Sequence, residues 1–252
     1  MSKAVTKKNR ILQLRRRMGL LVGNAIRSTG WEVRRLERNP SHSLLGLRSR
    51  DIRTIIDVGA NTGQFARQYL ALFPRARVMS YEPLASAFEG LSRWAATEPR
   101  VTPFNVAVGD AEGKLQMHEH VHQNVSSSLL PATQTSIDIW PAQAEQRRVE
   151  VRVATLDELL RGVPLDRDVL VKLDVQGYED RVIRGAGETL RQAAAAIIEV
   201  NLDTLYEGQA QFKDIVAGLD AAGLQYAGSL EQVIYSDGHV IAFDALFLTR
   251  SR

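Results

Sequence analysis

The sequence predicts a Rossmann-like α/β fold: a mostly parallel sheet with helices on both faces and an antiparallel hairpin at one edge. Three observations predict it. Short Val- and Ile-rich runs alternate with segments of helical periodicity through the middle of the chain. The first run, in "TIIDVGANTGQF", ends in an acid and breaks into a glycine-bearing turn that opens a helix. The C-terminal stretch carries two strand patterns around Asp237-Gly238 with no helix between them.

The 252 residues suffice for one large domain or two small ones, and a hydrophobic share of 44% allows a sizeable core. Lys and Arg number 32 against 29 Asp and Glu, a net +3 that is too mild to imply nucleic acid by itself. Cysteine is absent, which excludes disulfides and thiolate zinc sites. No apolar run is long enough to span a bilayer. The short stretch "GLLVGNAI" runs straight into Arg27 without a cleavage site, so a signal peptide is rejected and the cytoplasm is the default location.

Residues 3–35 are basic, from Lys3, Lys7 and Lys8 to Arg34 and Arg35, with Glu32 as the only acid. Ile11, Leu14, Met18, Leu21, Val22 and Ala25 recur at helical spacing, and Gly30 offers a stop. A basic amphipathic helix of this kind either lies on an anionic membrane surface or packs its apolar stripe on the following domain. It lacks the aromatic platform that would suit nucleic acid.

The strands follow in order as "RTIIDVG", "ARVMSYE", "VTPFNVAV", "DVLVKLDV" and "AAAIIEVN". Between the first two, Phe65, Tyr69 and Leu72 form a helical stripe; after the second, Leu84, Phe88, Leu91 and Ala95 form another. Residues 111–150 are irregular. "GKLQMHEH" and "RRVEVRVATL" read as strands around a long loop that carries Asn124, Ser126 to Ser128 and Trp140, a mixture suited to a polar ligand.

A strand, a tight glycine turn and a helix hold a nucleotide-like ligand at the carboxyl edge of a parallel sheet. From Gly59 onward the dinucleotide pattern fails, because Asn61 and Gln64 stand where glycines are needed, and no phosphate-loop Lys follows. Asp57 points instead to a cationic ligand end, such as the ammonium of the adenosyl sulfonium cofactor, with Gly59, Asn61 and Gly63 shaping the turn. Glu82, in "YEP" with Pro83, lies about twenty residues past the turn, where an acid takes ribose hydroxyls. Asn105 or its neighbours, Ala107 among them, would meet the adenine edge.

A second constellation, "VLVKLDVQGYEDRVIRGA", ends its strand in Asp174 and opens a helix at Glu179. Placed beside the first strand, it would aim Asp174 into the crevice of Gly59. "DVGANTGQF", "YEP", "NVAVGD", "SSSL" and this stretch resemble, in order and spacing, the FkbM family of S-adenosylmethionine-dependent methyltransferases from about Thr54 to Asn201. The resemblance implies a class I methyltransferase fold with a seven-stranded sheet, over residues 46–252 behind a helical extension at 1–45. It also implies S-adenosyl-L-methionine as cofactor and O-methylation of a small molecule, most often a sugar or polyketide hydroxyl. Many members carry Glu where this chain has Gln176, so a role of that carboxylate toward a metal or proton is not carried over.

An acceptor hydroxyl needs a base within hydrogen-bond reach or a cation that lowers its pKa. Asp174, Glu179 and Glu199 are the candidate acids, Glu179 equally as a first-turn acid favoured by the helix dipole. His118, His120 and His122 would share one strand face, where His122 could serve as base; a solvent-facing strand is the commoner outcome than a metal site, no metal ligand is assigned, and a divalent metal is left open. Asn124, Ser127 and Ser128 are candidates for holding the substrate. The expected acceptor is a small molecule, glycan or glycolipid, with peripheral membrane contact through residues 3–35, no nucleic acid and a homodimer as one assembly. Two other readings stand beside this one: an RNA methyltransferase gripping through the basic front end, and a non-catalytic cofactor sensor. "DVQG" stands where base-methylating enzymes carry an "NPPY"-type signature.

Overall fold

The computed structural model of the chain describes residues 28, 29, 43–122, 124–166 and 168–249. Apart from Ser28 and Thr29, the basic helix expected over residues 3–35 lies outside them. Leu44–Arg252 forms one compact unit. Its strands are β1 (Thr54–Val58), β2 (Arg77–Tyr81), β3 (Val101–Phe104), β4 (Ala107–Gly109), β5 (Gly113–His120), β6 (Gln146–Thr155), β7 (Val169–Leu173), β8 (Ala193–Asn201), β9 (Leu224–Ile234) and β10 (Val240–Thr249). Its helices are α1 (Gln64–Leu72), α2 (Ala85–Ala95), α3 (Gln134–Ile139), α4 (Leu156–Leu159), α5 (Glu179–Arg184), α6 (Gly187–Gln192) and α7 (Phe212–Ala221).

The main sheet has seven strands in the order β3-β2-β1-β7-β8-β10-β9. β3, β2, β1, β7 and β8 run parallel, and β10 is antiparallel to both β8 and β9. This is the sheet expected from the sequence, with the hairpin at its edge. Every residue of β1 and β7 is buried, because helices cover both faces and the side chains of a parallel strand have no solvent side. Ile55, Leu170 and Ile197 point to the face where α1 lays down Tyr69 and Leu70. Ile56, Val171 and Ile198 point to the other, against Val182, Leu190 and Leu219. Each such side chain contributes roughly 1.5–3 kcal/mol on leaving water.

Three features differ from the expectation. "VTPFNVAV" is not one strand. The Val106 N–H donates to Phe104 O in a three-residue turn, and Asn105 ties itself to the carbonyls of Glu82 and Pro83. The chain therefore leaves the main sheet after β3, and β4 joins a second sheet of order β4-β6-β5. The long loop also holds regular structure: α3, capped by the Thr133 side chain accepting from Ser136 N–H, and half-buried Trp140 packed on the core. On α1 the buried residues are Ala66, Tyr69 and Leu70 rather than Phe65 and Leu72, which are half-buried; Phe65 stacks on Tyr69 at 3.9 Å and faces a cavity beside β1.

Candidate active site

β1 lies between β2 and β7, so the chain leaves the carboxyl end of β1 toward one side and reaches β7 on the other. That switch point opens a crevice where ligands bind in sheets of this kind. Gly59 forms its floor. It has φ +80°, and a Cβ there would lie 1.8 Å from the Asp174 carbonyl oxygen, so both conformation and space demand glycine. Gly63, φ +90°, makes the same demand where α1 starts, because a Cβ would stand 2.6 Å from the Trp94 ring. Asn61 is left-handed between them (φ 46°), and its backbone N–H donates to Glu82 Oε2 at 2.9 Å.

Two chambers open from this floor and share Gly59, Asn61, Val125 and Asp174. The first is a largely apolar slot between Tyr81, Leu84, Val106, Ala107 and Met117, with Glu82 at its side and Pro83 on its wall. Glu82 is 5% exposed and accepts from the N–H groups of Asn61 and Leu84, one on each oxygen. Burial pushes its pKa up to about 7 against those two hydrogen bonds. The second chamber, about 220 Å³, is lined by Asp57, Gln64, Phe65 and Lys172. Asp57, 1% exposed, receives only a 3.4 Å bond from the Ser80 hydroxyl. Burial raises it to about 7 in spite of the Lys172 ammonium.

Lys172 is the charge in an otherwise apolar strand. Its Nζ lies 2.8 Å from Asp244 and 3.5 Å from Asp174 and is fully buried. Desolvation works against its charge, but Asp174, Asp244 and Glu199 outweigh that and raise its pKa. Asp174, at the end of β7, keeps 34% of its side chain exposed and lines both chambers. Burial would raise it; Lys172 and hydrogen bonds from Glu199 and Gln176 hold it below the usual carboxylate range. Glu199, on β8 and paired in register with Asp244, goes the other way: burial and the neighbouring Asp174 push it well above. The two acids titrate as a pair, with Asp174, the member that faces the cavity, the more acidic of the two.

Gln176 joins the two acids. Its Nε2 donates to Asp174 Oδ1 at 2.8 Å and to Glu199 Oε2 at 2.5 Å, while Oε1 accepts from the Tyr206 hydroxyl at 2.6 Å. Its backbone is left-handed (φ 56°), and its carbonyl accepts from Ser128 Oγ at 2.7 Å. The segment above the crevice is tied down at several points. The Tyr206 hydroxyl also reaches Ser126 O (2.9 Å), Thr133 N–H donates to Leu205 O, Glu207 N–H donates to Pro131 O, and Asn61 Nδ2 meets Asn124 Oδ1 at 3.5 Å.

The remaining candidates sort by place. Asp57, Gly59, Asn61, Glu82, Pro83, Ala107, Asn124, Ser127 and Asp174 line the chambers. Glu199 stands directly behind Asp174. Ser128 is buried as a brace for Gln176 and also accepts from Leu130 N–H. Glu179 is 1% exposed and accepts from Val175 and Gly177 N–H, so it buttresses the turn beneath Asp174. Asn105 is exposed and braces Glu82 and Pro83 from outside. The three histidines do not share one face: β5 ends at His120, which is fully buried with Nδ1 on Gln143 O, while His122 is exposed on Glu145, away from both chambers. Reading the sequence missed Lys172, Tyr206 and Asp244. The lone charge in "VLVKL" was a usable signal for the first; the other two carry none, since only the fold brings them to the crevice.

The model of the methyltransferase FkbM domain matches residues 57–226. The chain is 30% identical over 174 residues to the 2-O-methyltransferase NoeI of Sinorhizobium fredii, covering 64% of this chain and 69% of that protein. It is 26% identical over 156 residues to the methyltransferase sdnD of Sordaria araneosa, covering 53% and 60%. A crystal structure of an FkbM methyltransferase from Methylobacillus flagellatus KT superposes with a TM-score of 0.49 at 13% identity; the match covers 79% of this chain and 44% of that longer one.

Proposed function

Because the chain belongs to the FkbM family of methyltransferases and uses S-adenosylmethionine, we propose that it is an O-methyltransferase for a hydroxyl of a small molecule, specifically a sugar of a glycolipid or polysaccharide. The observation that carries this reading is Asp174: a carboxyl group facing the cavity at the switch point, held below its usual range beside the buried Lys172 ammonium and backed by Glu199. The name of NoeI, an O-methyltransferase, supports a hydroxyl acceptor.

The bound cofactor supplies a sulfonium methyl group open to attack by an oxygen nucleophile. The donor set of the crevice fits that cofactor. Asp57 would hold its ammonium end, and Glu82, with lone pairs left over after its two N–H bonds, its ribose hydroxyls. The apolar slot beside Ala107 and Met117 would take the adenine. A sugar hydroxyl is too weak an acid to lose its proton unaided, and a positioned base contributes about 10²–10⁴-fold. Asp174 would accept that proton while Asn124 and Ser127, on the same cavity wall, bond neighbouring hydroxyls of the acceptor. The division near residue 45, the membrane contact of residues 3–35, the inner-face location and a homodimer rest on the sequence alone; among the described residues no helix is long and apolar enough to cross a membrane.

The test is methyl transfer from labelled cofactor to a panel of sugars, oligosaccharides and glycolipids. Asp174→Asn is expected to lower turnover by about 100-fold or more and to leave the affinity for S-adenosylhomocysteine within about threefold. Unchanged turnover in that variant would remove Asp174 as the base; transfer by the parent only to amine acceptors would overturn the hydroxyl assignment.

A further inference from the structure

We propose that Gln176 is the positioning residue of the reaction: its carboxamide bridges Asp174 and Glu199 and holds them as a pair in which Asp174 is the member that faces the cavity. The inference rests on the reading of Asp174 as the base.

Nε2 lies within hydrogen-bond distance of one oxygen of each acid, and Oε1 faces the Tyr206 hydroxyl. This orientation gives each acid an N–H donor; the reverse would set the amide oxygen against both carboxyl groups, which is repulsive whenever they are ionised. The two N–H groups therefore supply the two donors that an adjacent pair of acids lacks. The side chain has little freedom to leave, because its own backbone is left-handed and latched by Ser128.

Asp57 and Glu82 act on Asp174 from the ends of β1 and β2 across the crevice, and four further titratable groups stand around the bridged pair. Lys172 approaches Asp174 from β7, Asp244 stands opposite Glu199 on β10, Glu179 lies beneath the turn, and Tyr206 closes the far side. Lys172 pairs with Asp244 and Asp174 and also acts through space on Glu199, to which it makes no ion pair among the described residues. The carboxamide is the neutral donor that reaches Glu199 Oε2. A donor to a carboxylate favours its ionised form, so removing the amide must raise the proton affinity of both acids.

The experiment is a titration of the full chain carrying ¹³C-carboxyl Asp and Glu, read by NMR, with Asp174→Asn and Glu199→Gln used to assign the two resonances. It needs no acceptor, so it can succeed where the base reading fails. Gln176→Leu is expected to move both carboxyl titrations upward by about one pH unit. Tyr206→Phe, which frees the amide oxygen and also releases the Ser126 carbonyl, is expected to move them in the same direction by less. With an acceptor in hand, the acid limb of kcat/KM in Gln176→Leu should shift by the same amount and activity should recover at alkaline pH, which a merely structural loss would not allow. Titrations that stay within about 0.3 unit of the parent in both variants, or that move downward, overturn the proposal. If the titrations shift but the acid limb does not, the bridge stands and the base assignment falls.

Discussion

Asp57 and Glu82 are carboxyl groups with almost no water around them, and both are raised to about 7 by burial. The consequence for ligand binding has a definite sign. A carboxyl group that must be ionised to hold an ammonium is about one part in eleven ionised at pH 6 and ten parts in eleven at pH 8, so each such group strengthens cofactor binding about tenfold over that interval. Titration calorimetry at the two pH values, in buffers of different ionisation enthalpy, should show tighter binding and proton release; affinity independent of pH would remove Asp57 from the ammonium site. Stability without cofactor runs the other way. The folded chain binds these protons more tightly than the unfolded chain, so their contribution is complete below about pH 4 and is lost as pH rises through 7. Glu179, also raised to about 7 by burial, adds to the same slope. The thermal midpoint of the cofactor-free protein should therefore fall between pH 5 and 8, and saturating cofactor should flatten that fall.

At the scale of elements, the turn between β1 and α1 decides whether the crevice exists. Gly59→Ala would force an L-residue to φ +80° and push a methyl into the Asp174 carbonyl. The strain alone costs about 1–2 kcal/mol, and β1 and β7 must separate to relieve the contact. The expected result is a lower thermal midpoint together with loss of S-adenosylhomocysteine binding by calorimetry; a variant that binds normally would show that the floor is not rigid. This element was legible in the sequence because glycine at a strand end, an acid before it and a helical stripe after it are local signals. The break at Asn105 was not, because the bonds that bend the chain there come from Glu82 and Pro83, more than twenty residues away. The histidine run failed for a related reason: alternation predicts one face only while the strand continues, and β5 stops at His120. α3 was hidden in a stretch dense in Ser, Thr and Pro, whose capping residue Thr133 looked like loop.

Across the described residues, burial falls from the centre of the main sheet toward its β9 edge and toward β5 of the second sheet. β1 and β7 are buried throughout, whereas Gly113 to Gln116 on β5 and Glu231 to Ile234 on β9 are exposed. Amide hydrogen exchange should be slowest in β1, β7 and β8 and markedly faster in those two outer segments, and uniform protection would contradict this order. The fold class and the crevice at the end of β1 could be read from the sequence, since strand patterns, the glycine turn and the acids at strand ends state them; Lys172 was visible as a charge inside an apolar strand, whereas Tyr206 and Asp244 reach the site only through pairing across strands and loops. The same long-range wiring bears on redesign. The segment from Asn124 to Thr133 is stapled to Gln176 through Ser128 and to the Tyr206 loop through Ser126, Pro131 and Thr133. A chimera that imports a foreign stretch there to gain a new acceptor would unseat the proton-handling apparatus as well, so positions 176 and 206 have to travel with the graft.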